Sequence, residues 1–106
     1  MIPADELSNP AVRTLVDAIN SGDREAFVQA LTDDPTTSDD GTDADLRQWS
    51  DSEIFSSDCH LDVESRTDDG LSLIARFHNS AWGEMRTAWK FTVTDGKISR
   101  FDTGRA

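Results

Sequence analysis

The chain has 106 residues, a length typical of one domain with one hydrophobic core, so residues 1–106 are treated as a single domain. Its 21 acidic and 10 basic residues give a formal net charge of −11, which repels phosphate backbones and anionic membranes and argues against nucleic-acid or membrane partners. The single cysteine excludes an intrachain disulfide, and the lack of a signal-peptide pattern or a membrane-length apolar run predicts a cytoplasmic protein.

The first predicted element is an amphipathic helix that begins after Asn9. Asn is a favoured N-cap residue, and Pro10 suits the first helical position. Four apolar residues then recur at the spacing of one helix face, namely Val12, Leu15, Val16 and Ile19. Gly22 ends this helix, and Asp23 caps a second one. The inner face of the second helix is expected to carry Phe27, Ala30 and Leu31.

The polar segment 32–45 predicts a loop with room for one short strand at residues 36–38. A third, short helix is expected to begin near Thr42 or Asp43, because acidic residues suit the positive end of a helix dipole. The residues expected on this helix are Leu46, Trp49 and Glu53.

The second half of the chain has the period-two apolar alternation of β-strands. Leu61 and Val63 belong to the first of these strands, and Asp69-Gly70 predicts a hairpin turn after it. The next strand has one apolar face formed by Leu71, Leu73, Ala75 and Phe77. After a loop at residues 79–83, a long strand has Met85, Thr87, Trp89, Phe91 and Val93 on one face.

Asp95-Gly96 predicts a second hairpin, followed by a strand over residues 97–102. Ile98 and Phe101 have opposite parity in that strand, which predicts either a bulge or a strand covered on both faces. Helices followed by a four-stranded antiparallel meander indicate an α+β domain in which the helices cover one sheet face. We expect a homodimer formed through the other face of the sheet.

Both ends of the chain carry local signals of one known family. Residues 12–23 and 27–34 contain, in order, an amphipathic helix, an Asn-Ser-Gly-Asp turn, a second helix and an Asp-Asp pair, and residues 91–100 form a closing hairpin. This arrangement resembles the nuclear transport factor 2-like (SnoaL-like) superfamily, and the resemblance spans nearly the whole chain. It implies a cone-shaped, cystatin-like roll in which N-terminal helices pack on a curved antiparallel sheet and leave a pocket. Members of the superfamily include ketosteroid isomerases, polyketide cyclases, dehydratases and non-catalytic binding or association modules.

The resemblance does not extend to the catalytic residues of the isomerases. Those enzymes place a carboxylate base shortly after the Asp-Asp pair, which corresponds here to Asp39, followed by Asp40. Their oxyanion site uses a Tyr on the first helix, but this chain has Leu15 there and contains no Tyr. The second oxyanion donor, an Asp on the long strand, has no counterpart in residues 85–93. A base without an oxyanion site lacks a large part of the expected catalysis, so the residues argue against steroid isomerisation by that mechanism.

Asp39 and His78 are the candidate catalytic residues. Asp39 would be a general base at the mouth of the pocket, and His78 would be its acid or base partner. The alternatives are a solvated acidic turn for Asp39 and a surface histidine at a strand end for His78. The candidate ligand-binding residues are Leu15, Trp49, Phe77 and Trp89, although this aromatic set also suits a core. An exposed Trp82 would mark a dimer contact or a pocket lid, whereas a buried one would cap the core.

Other chemistries find little support in the sequence. Cys59 and His60 are adjacent in a strand, so they point to opposite faces and cannot form a nucleophile pair. Alignment with a calcium-binding loop places Arg47 or Arg76 where a bidentate Glu is required. The chain also lacks the ligand spacing of a zinc or iron site and a Gly-rich phosphate loop, so we expect no metal and no cofactor.

Three hypotheses for function follow. The first is a domain that binds a small apolar ligand in its pocket. The second is an enzyme of the cyclase, dehydratase or isomerase type with Asp39 as its base. The third is an association module whose pocket is filled by its own side chains.

Overall fold

The computed structural model describes residues 2–3, 6–55, 59–80 and 83–106. Its helical elements are α1 (Pro10–Ser21), α2 (Arg24–Gln29) and α3 (Leu46–Ser50), and α3 continues into a π-helical turn (Asp51–Phe55). Its strands are β1 (Leu31–Asp39), β2 (Thr42–Ala44), β3 (His60–Arg66), β4 (Ser72–Asn79), β5 (Gly83–Thr94) and β6 (Lys97–Arg105). The strands form one sheet in the order β2-β1-β6-β5-β4-β3, in which β1 and β6 are parallel and the other neighbours are antiparallel.

Helix α1 forms as its sequence predicts. The Asn9 side chain accepts hydrogen bonds from the backbone N–H groups of Ala11 and Val12, at 3.0 and 3.3 Å. Gly22 ends the helix with φ 69°, a left-handed conformation that favours glycine. Leu15 and the rest of the apolar stripe are buried against the sheet.

Helix α2 is capped by Asp23 as expected, but it is shorter than predicted. The Asp23 carboxylate accepts from the backbone N–H of Ala26 at 3.0 Å, and Ala30 forms the C-cap. Leu31 therefore does not lie on the helix. It begins β1, where it pairs with Ile98 of β6.

The short strand expected at residues 36–38 lies within β1, but the loop predicted for the rest of segment 32–45 is wrong, because most of it forms β1 and β2. The polar composition concealed β1, whose hydrogen-bond partner is β6, more than 60 residues later in the chain. Asp40 and Gly41, with φ 53° and 83°, form the tight turn into β2. The sheet is consequently mixed and six-stranded rather than an antiparallel meander of four strands.

The third helix also begins later than predicted. Thr42 and Asp43 belong to β2, so the helix starts at Leu46. Asp45 is the N-cap residue, and its carboxylate accepts from the backbone N–H of Gln48 at 3.0 Å. Glu53 lies in the π-helical turn rather than in α3.

The predicted bulge is confirmed in β6, which continues to Arg105 rather than ending at Asp102. Val93 pairs with Ile98 while Thr92 pairs with Arg100, so one extra residue lies in β6 between these pairs. Ile98 and Phe101 are both fully buried as a result. The hairpin turns at Asp69-Gly70 and Asp95-Gly96 are confirmed as well.

The sheet has two distinct faces. The inner face packs against the helices, and its central residues include Leu73, Ala75, Phe77, Trp89 and Phe101. The outer face, which points away from the helices, carries mainly polar and charged residues, including Arg76, His78, Glu84 and Arg86. The predicted α+β cone with helices on a curved sheet is thus confirmed, with the mixed topology as its correction. None of the helices in the described residues is long and apolar enough to cross a membrane.

Candidate functional site

A cavity of about 150 Å³ lies on the inner face of the sheet, beside α3 and the π-helical turn. Its buried lining consists of Trp49, Phe77, Thr87, Trp89 and Thr103. More exposed residues surround its mouth, namely Asp39, Asp40, Glu53, Met85 and Arg105. The cavity therefore has an apolar, largely aromatic interior and a charged mouth.

The register of the sheet explains why these residues meet. Asp39 of β1 pairs with Thr103 of β6, and Thr103 pairs with Trp89 of β5. Partners in register point to the same face of a sheet, so this row of side chains faces inward. The cavity lies over this row and over the neighbouring pair of Phe77 and Met85.

The aromatic rings of the cavity differ in orientation. The rings of Trp49 and Trp89 have centroids 6.1 Å apart and an interplanar angle of 73°, an edge-to-face arrangement. Phe77 stacks on Trp89 with centroids 6.2 Å apart and an angle of 29°. Trp89 Nε1 donates to Thr87 Oγ1 at 2.8 Å, and Thr87 Oγ1 donates to the Ala75 carbonyl at 3.2 Å. The polar atoms of the cavity floor are thus already hydrogen-bonded to one another.

Asp39 is held in place by α3. Trp49 Nε1 donates a hydrogen bond to Asp39 Oδ2 at 3.0 Å. The other carboxylate oxygen, Oδ1, has no hydrogen-bond partner among the residues that the structure describes. Asp39 is exposed at the cavity mouth, so a bound molecule could reach Oδ1.

The mouth carries three carboxylates against one guanidinium. Arg105 Nε lies 3.7 Å from Asp40 Oδ2, and the Arg105 backbone N–H donates to Asp40 Oδ1 at 3.3 Å. Asn79 Nδ2 donates to the Glu53 carbonyl at 3.1 Å and lies 3.4 Å from Glu53 Oε2. Because Arg105 lies beside Asp40, no cationic side chain among the described lining residues pairs with Asp39.

His78 does not lie at this cavity. It is adjacent to Phe77 in β4 and therefore points to the outer face. There its Nε2 lies 3.2 Å from Asp62 Oδ2, while His60 Nε2 lies 2.9 Å from Asp62 Oδ1. The two predicted catalytic residues are thus on opposite faces of the sheet, and an acid–base pair of Asp39 with His78 cannot act on one bound molecule.

Three of the four predicted ligand-binding residues lie at the cavity. Trp49, Phe77 and Trp89 line the cavity. Leu15 is fully buried on the inner side of α1 and does not line it. Trp82 lies outside the described residues. In residues 2–3, 6–55, 59–80 and 83–106, no group of three or more His, Cys, Asp or Glu side chains is placed to hold a metal ion.

Several cavity residues were missed in the sequence. Thr87 was assigned to the inner face as a strand residue but not to the site. Thr103 and Arg105 lie beyond the predicted end of the last strand, although the alternation from Phe101 to Thr103 would have placed Thr103 inward. Met85, like Thr87, was placed on the inner strand face but not in the site, and Glu53 was expected on the third helix. Their position at the cavity depends on how α3 and the π-helical turn approach β5.

Comparisons with known proteins identify the fold. No protein-family model matches the chain, and no curated protein matches its sequence. Solved structures do match, and one is a candidate polyketide cyclase from Sinorhizobium meliloti, with a TM-score of 0.77, 20% identity and coverage of 96% of this chain and 99% of the other. A nuclear transport factor 2-like protein of unknown function from Cytophaga hutchinsonii has a TM-score of 0.74 and 14% identity, over 97% of this chain and 89% of the other.

A third match is a protein from Mycobacterium tuberculosis in complex with estradiol-17β-hemisuccinate. It has a TM-score of 0.71 and 15% identity, with 88% of each chain covered. At these identities the likeness establishes the fold. The chain has the nuclear transport factor 2-like fold, and the predicted resemblance is confirmed at that level.

Proposed function

We propose that this chain binds a small molecule with a mainly apolar surface in the cavity between Trp49 and Trp89. The observation that carries the proposal is the aromatic cavity itself, whose mouth holds a carboxylate fixed by Trp49. Small-molecule sites are typically concave and apolar, with a few polar groups that orient the ligand. The lining assigned to the site is Asp39, Trp49, Phe77 and Trp89.

The size of the cavity limits the ligand. Its volume is about 150 Å³, below the roughly 300–1,000 Å³ of sites for drug-sized ligands. An engineered protein cavity of about 150 Å³ accommodates benzene. The Mycobacterium tuberculosis protein of the same fold is in complex with a steroid derivative, but the cavity here suits a single ring or a group of similar size.

Thermal unfolding with ring-sized probes tests the proposal. Phenol and indole should raise the melting temperature, because a ligand at 100 times its Kd stabilises the folded state by about 2.7 kcal/mol. Met85→Trp should abolish the shift by filling the cavity, whereas Val28→Trp adds the same side chain at a position that is 59% exposed and should not. If neither these probes nor charged or branched molecules of similar size stabilise the wild-type chain at its solubility limit, the proposal fails.

An enzyme remains the second candidate, and the position of Asp39 favours it. A carboxylate with one fixed and one open oxygen at a cavity mouth has the geometry of a general base. Because His78 lies on the outer face, it cannot be the acid partner of Asp39, whereas the carboxyl groups of Asp40 and Glu53 line the same cavity mouth. Once a reacting ligand is found, Asp39→Asn should abolish turnover without abolishing binding, and unchanged turnover would contradict the role of Asp39.

We also propose that the chain is a homodimer formed through the outer face of the sheet. Ala88 lies near the middle of this face, between its strand partners Ile74 and Gly104, and these three residues line a concave surface. Ala88→Arg should give a monomer in light scattering, while Val28→Arg should leave the dimer intact. A wild-type chain that stays monomeric at high concentration would refute this proposal.

A cytoplasmic location is proposed on chemical grounds. Disulfide-rich small domains are typical of oxidising compartments, and this chain has one cysteine, Cys59, which is buried. Cell fractionation tests the location, and recovery of the protein outside the cytoplasmic fraction would contradict it.

A further inference from the structure

The chemistry of the cavity mouth goes beyond the binding of an apolar group. We infer that the ligand is a small organic cation whose charged part is a quaternary ammonium group, an inference that rests on the proposed binding function. Aromatic faces and carboxylates together recognise such groups, because the cation interacts with ring quadrupoles while carboxylates supply opposite charge. The cavity brings both kinds of group together.

The electrostatic part comes from the mouth. Asp39, Asp40 and Glu53 carry three negative charges there, and Arg105 supplies the only positive charge among the described residues that line the cavity. Arg105 is 81% exposed in its side chain and is directed to Asp40, so it does not cover Asp39. The whole chain carries a formal charge of −11, which also raises the local concentration of cations and disfavours anionic ligands.

The aromatic part comes from the interior. All three rings line the cavity, with Trp49 at 73° and Phe77 at 29° to the plane of Trp89. Cation–π attraction is strongest for Trp and acts within about 6 Å of a ring centroid. The hydrogen bond from Trp49 Nε1 to the Asp39 carboxylate also polarises the indole ring in the direction that favours a cation.

The polar groups inside the cavity are already hydrogen-bonded within the protein, and this favours a cation without N–H groups. Thr87 Oγ1 accepts from Trp89 Nε1 and donates to the Ala75 carbonyl, and Thr103 Oγ1 lies 3.4 Å from the Ser38 carbonyl. A primary ammonium would lose hydrogen bonds to water on entering this interior, and the floor would replace few of them. A quaternary ammonium group has no N–H to satisfy, and its methyl groups suit the apolar lining. The cavity, at about 150 Å³, is of a size for one such head group.

Choline and 3,3-dimethylbutan-1-ol test the inference directly, because they have nearly the same shape and differ in charge. Binding is measured by isothermal titration calorimetry and by quenching of tryptophan fluorescence, with choline chloride compared against NaCl at equal concentration. We expect choline to bind about tenfold more tightly than the neutral alcohol, as a cation held by aromatic rings in a partly dry site would.

Two charge-matched variants assign the effect to the site. Asp39→Asn should weaken choline binding several-fold and leave the affinity for the alcohol unchanged, which also shows that the cavity remains folded. Asp17→Asn removes the same charge from the exposed side of α1 and should leave both affinities unchanged. Met85→Trp should abolish the binding of both molecules.

The outcomes separate this inference from the proposed function. Equal affinity for choline and the alcohol would overturn the cation inference while supporting a binding cavity. Equal effects of Asp39→Asn and Asp17→Asn would overturn it too, because choline would then respond only to the overall charge. If choline, the alcohol and the ring-sized probes all fail to bind, the proposed function itself falls.

Discussion

Asp102 links β1 to β6 through hydrogen bonds that depend on its charge. Ser38 Oγ donates to Asp102 Oδ1 at 2.6 Å, and Arg100 Nε donates to the same oxygen at 2.9 Å. Burial alone would raise the pKa of Asp102, but the hydrogen bonds from Ser38 and Arg100, together with the positive charges of Arg100 and Lys90, outweigh it, so the pKa lies below its usual value. The parallel pairing of β1 with β6 is therefore sensitive to acid at this residue.

This shift predicts a specific pH dependence of stability. A carboxyl group whose pKa is lowered by folding stabilises the protein above its unfolded pKa of about 4, and that contribution is lost as the pH falls through the folded pKa. Urea unfolding at pH 7 and near pH 3 should show a smaller acid-induced loss for Asp102→Asn than for the wild-type chain. Asp17→Asn, at an exposed site on α1, is the control and should behave like wild type. An identical pH dependence in Asp102→Asn would contradict the role of this contact.

Phe101 is a central residue of the aromatic core. It is fully buried, and its ring lies 5.6 Å from that of Trp49 and 5.7 Å from that of Trp89, measured between centroids. Phe101→Ala should lower the free energy of unfolding by about 3–5 kcal/mol, because it removes buried area and leaves a void. Val28→Ala, at a position 59% exposed, should change it by less than about 0.5 kcal/mol. A loss of under about 1 kcal/mol in Phe101→Ala would show that the core collapses around the site.

At the scale of the elements, local features such as helix caps and turns were easier to predict from the sequence than a strand that pairs with a distant part of the chain. The caps at Asn9, Gly22 and Asp23 and the two Asp-Gly turns are local, and the sequence was sufficient to predict them. Only residues 36–38 of β1 were predicted as a strand, because its residues are mostly polar and its neighbour β6 lies at the other end of the chain.

The residues of the candidate site also differ in whether a local sequence pattern predicts them. The parity of the strands placed Phe77 and Trp89 on one face, and the same rule already separated His78 from Phe77. Asp39 lies at the cavity because β1 pairs with β6. The family resemblance pointed to Asp39 as a pocket residue, but the sequence did not predict this pairing. Thr103 was missed because the last strand extends further than its apolar alternation suggested.

The turn between β3 and β4 packs against the start of α1 and supplies a test at this scale. Gly70 has φ 71°, and a Cβ there would lie 2.7 Å from Ser8 Oγ and 3.0 Å from the Asn9 backbone nitrogen. Gly96 has a similar φ of 79° in the β5–β6 turn but has open space around it. Both Gly→Ala changes introduce left-handed strain of about 1–2 kcal/mol, and Gly70→Ala adds a clash with the N-cap of α1.

Chemical denaturation should therefore show a larger loss of stability for Gly70→Ala than for Gly96→Ala. The difference between the two variants measures how tightly the turn is seated on α1, because the backbone strain is common to both. Equal losses would mean that the helix start moves aside without cost.

At the scale of the whole molecule, the charge of −11 is concentrated in a body of 33 × 30 × 26 Å. The Debye length falls from about 30 Å at 0.01 M salt to about 10 Å at 0.1 M. At the lower salt concentration, carboxylates on opposite sides of the protein repel one another, whereas at the higher concentration only neighbours interact. The ion pairs of Arg76 with Glu64 and Glu84 are largely exposed, and exposed pairs contribute little to stability.

The melting temperature should therefore rise between 0.01 M and 0.1 M NaCl at pH 7, on the order of a few degrees, because screening weakens the net repulsion more than it weakens the surface ion pairs. The control is the same pair of salt concentrations near the isoelectric point of about 4.3, where the net charge vanishes and the salt effect should vanish with it. Scanning calorimetry measures both. A melting temperature that falls with salt at pH 7 would show instead that the exposed ion pairs on the outer face stabilise the fold more than the excess of carboxylates destabilises it.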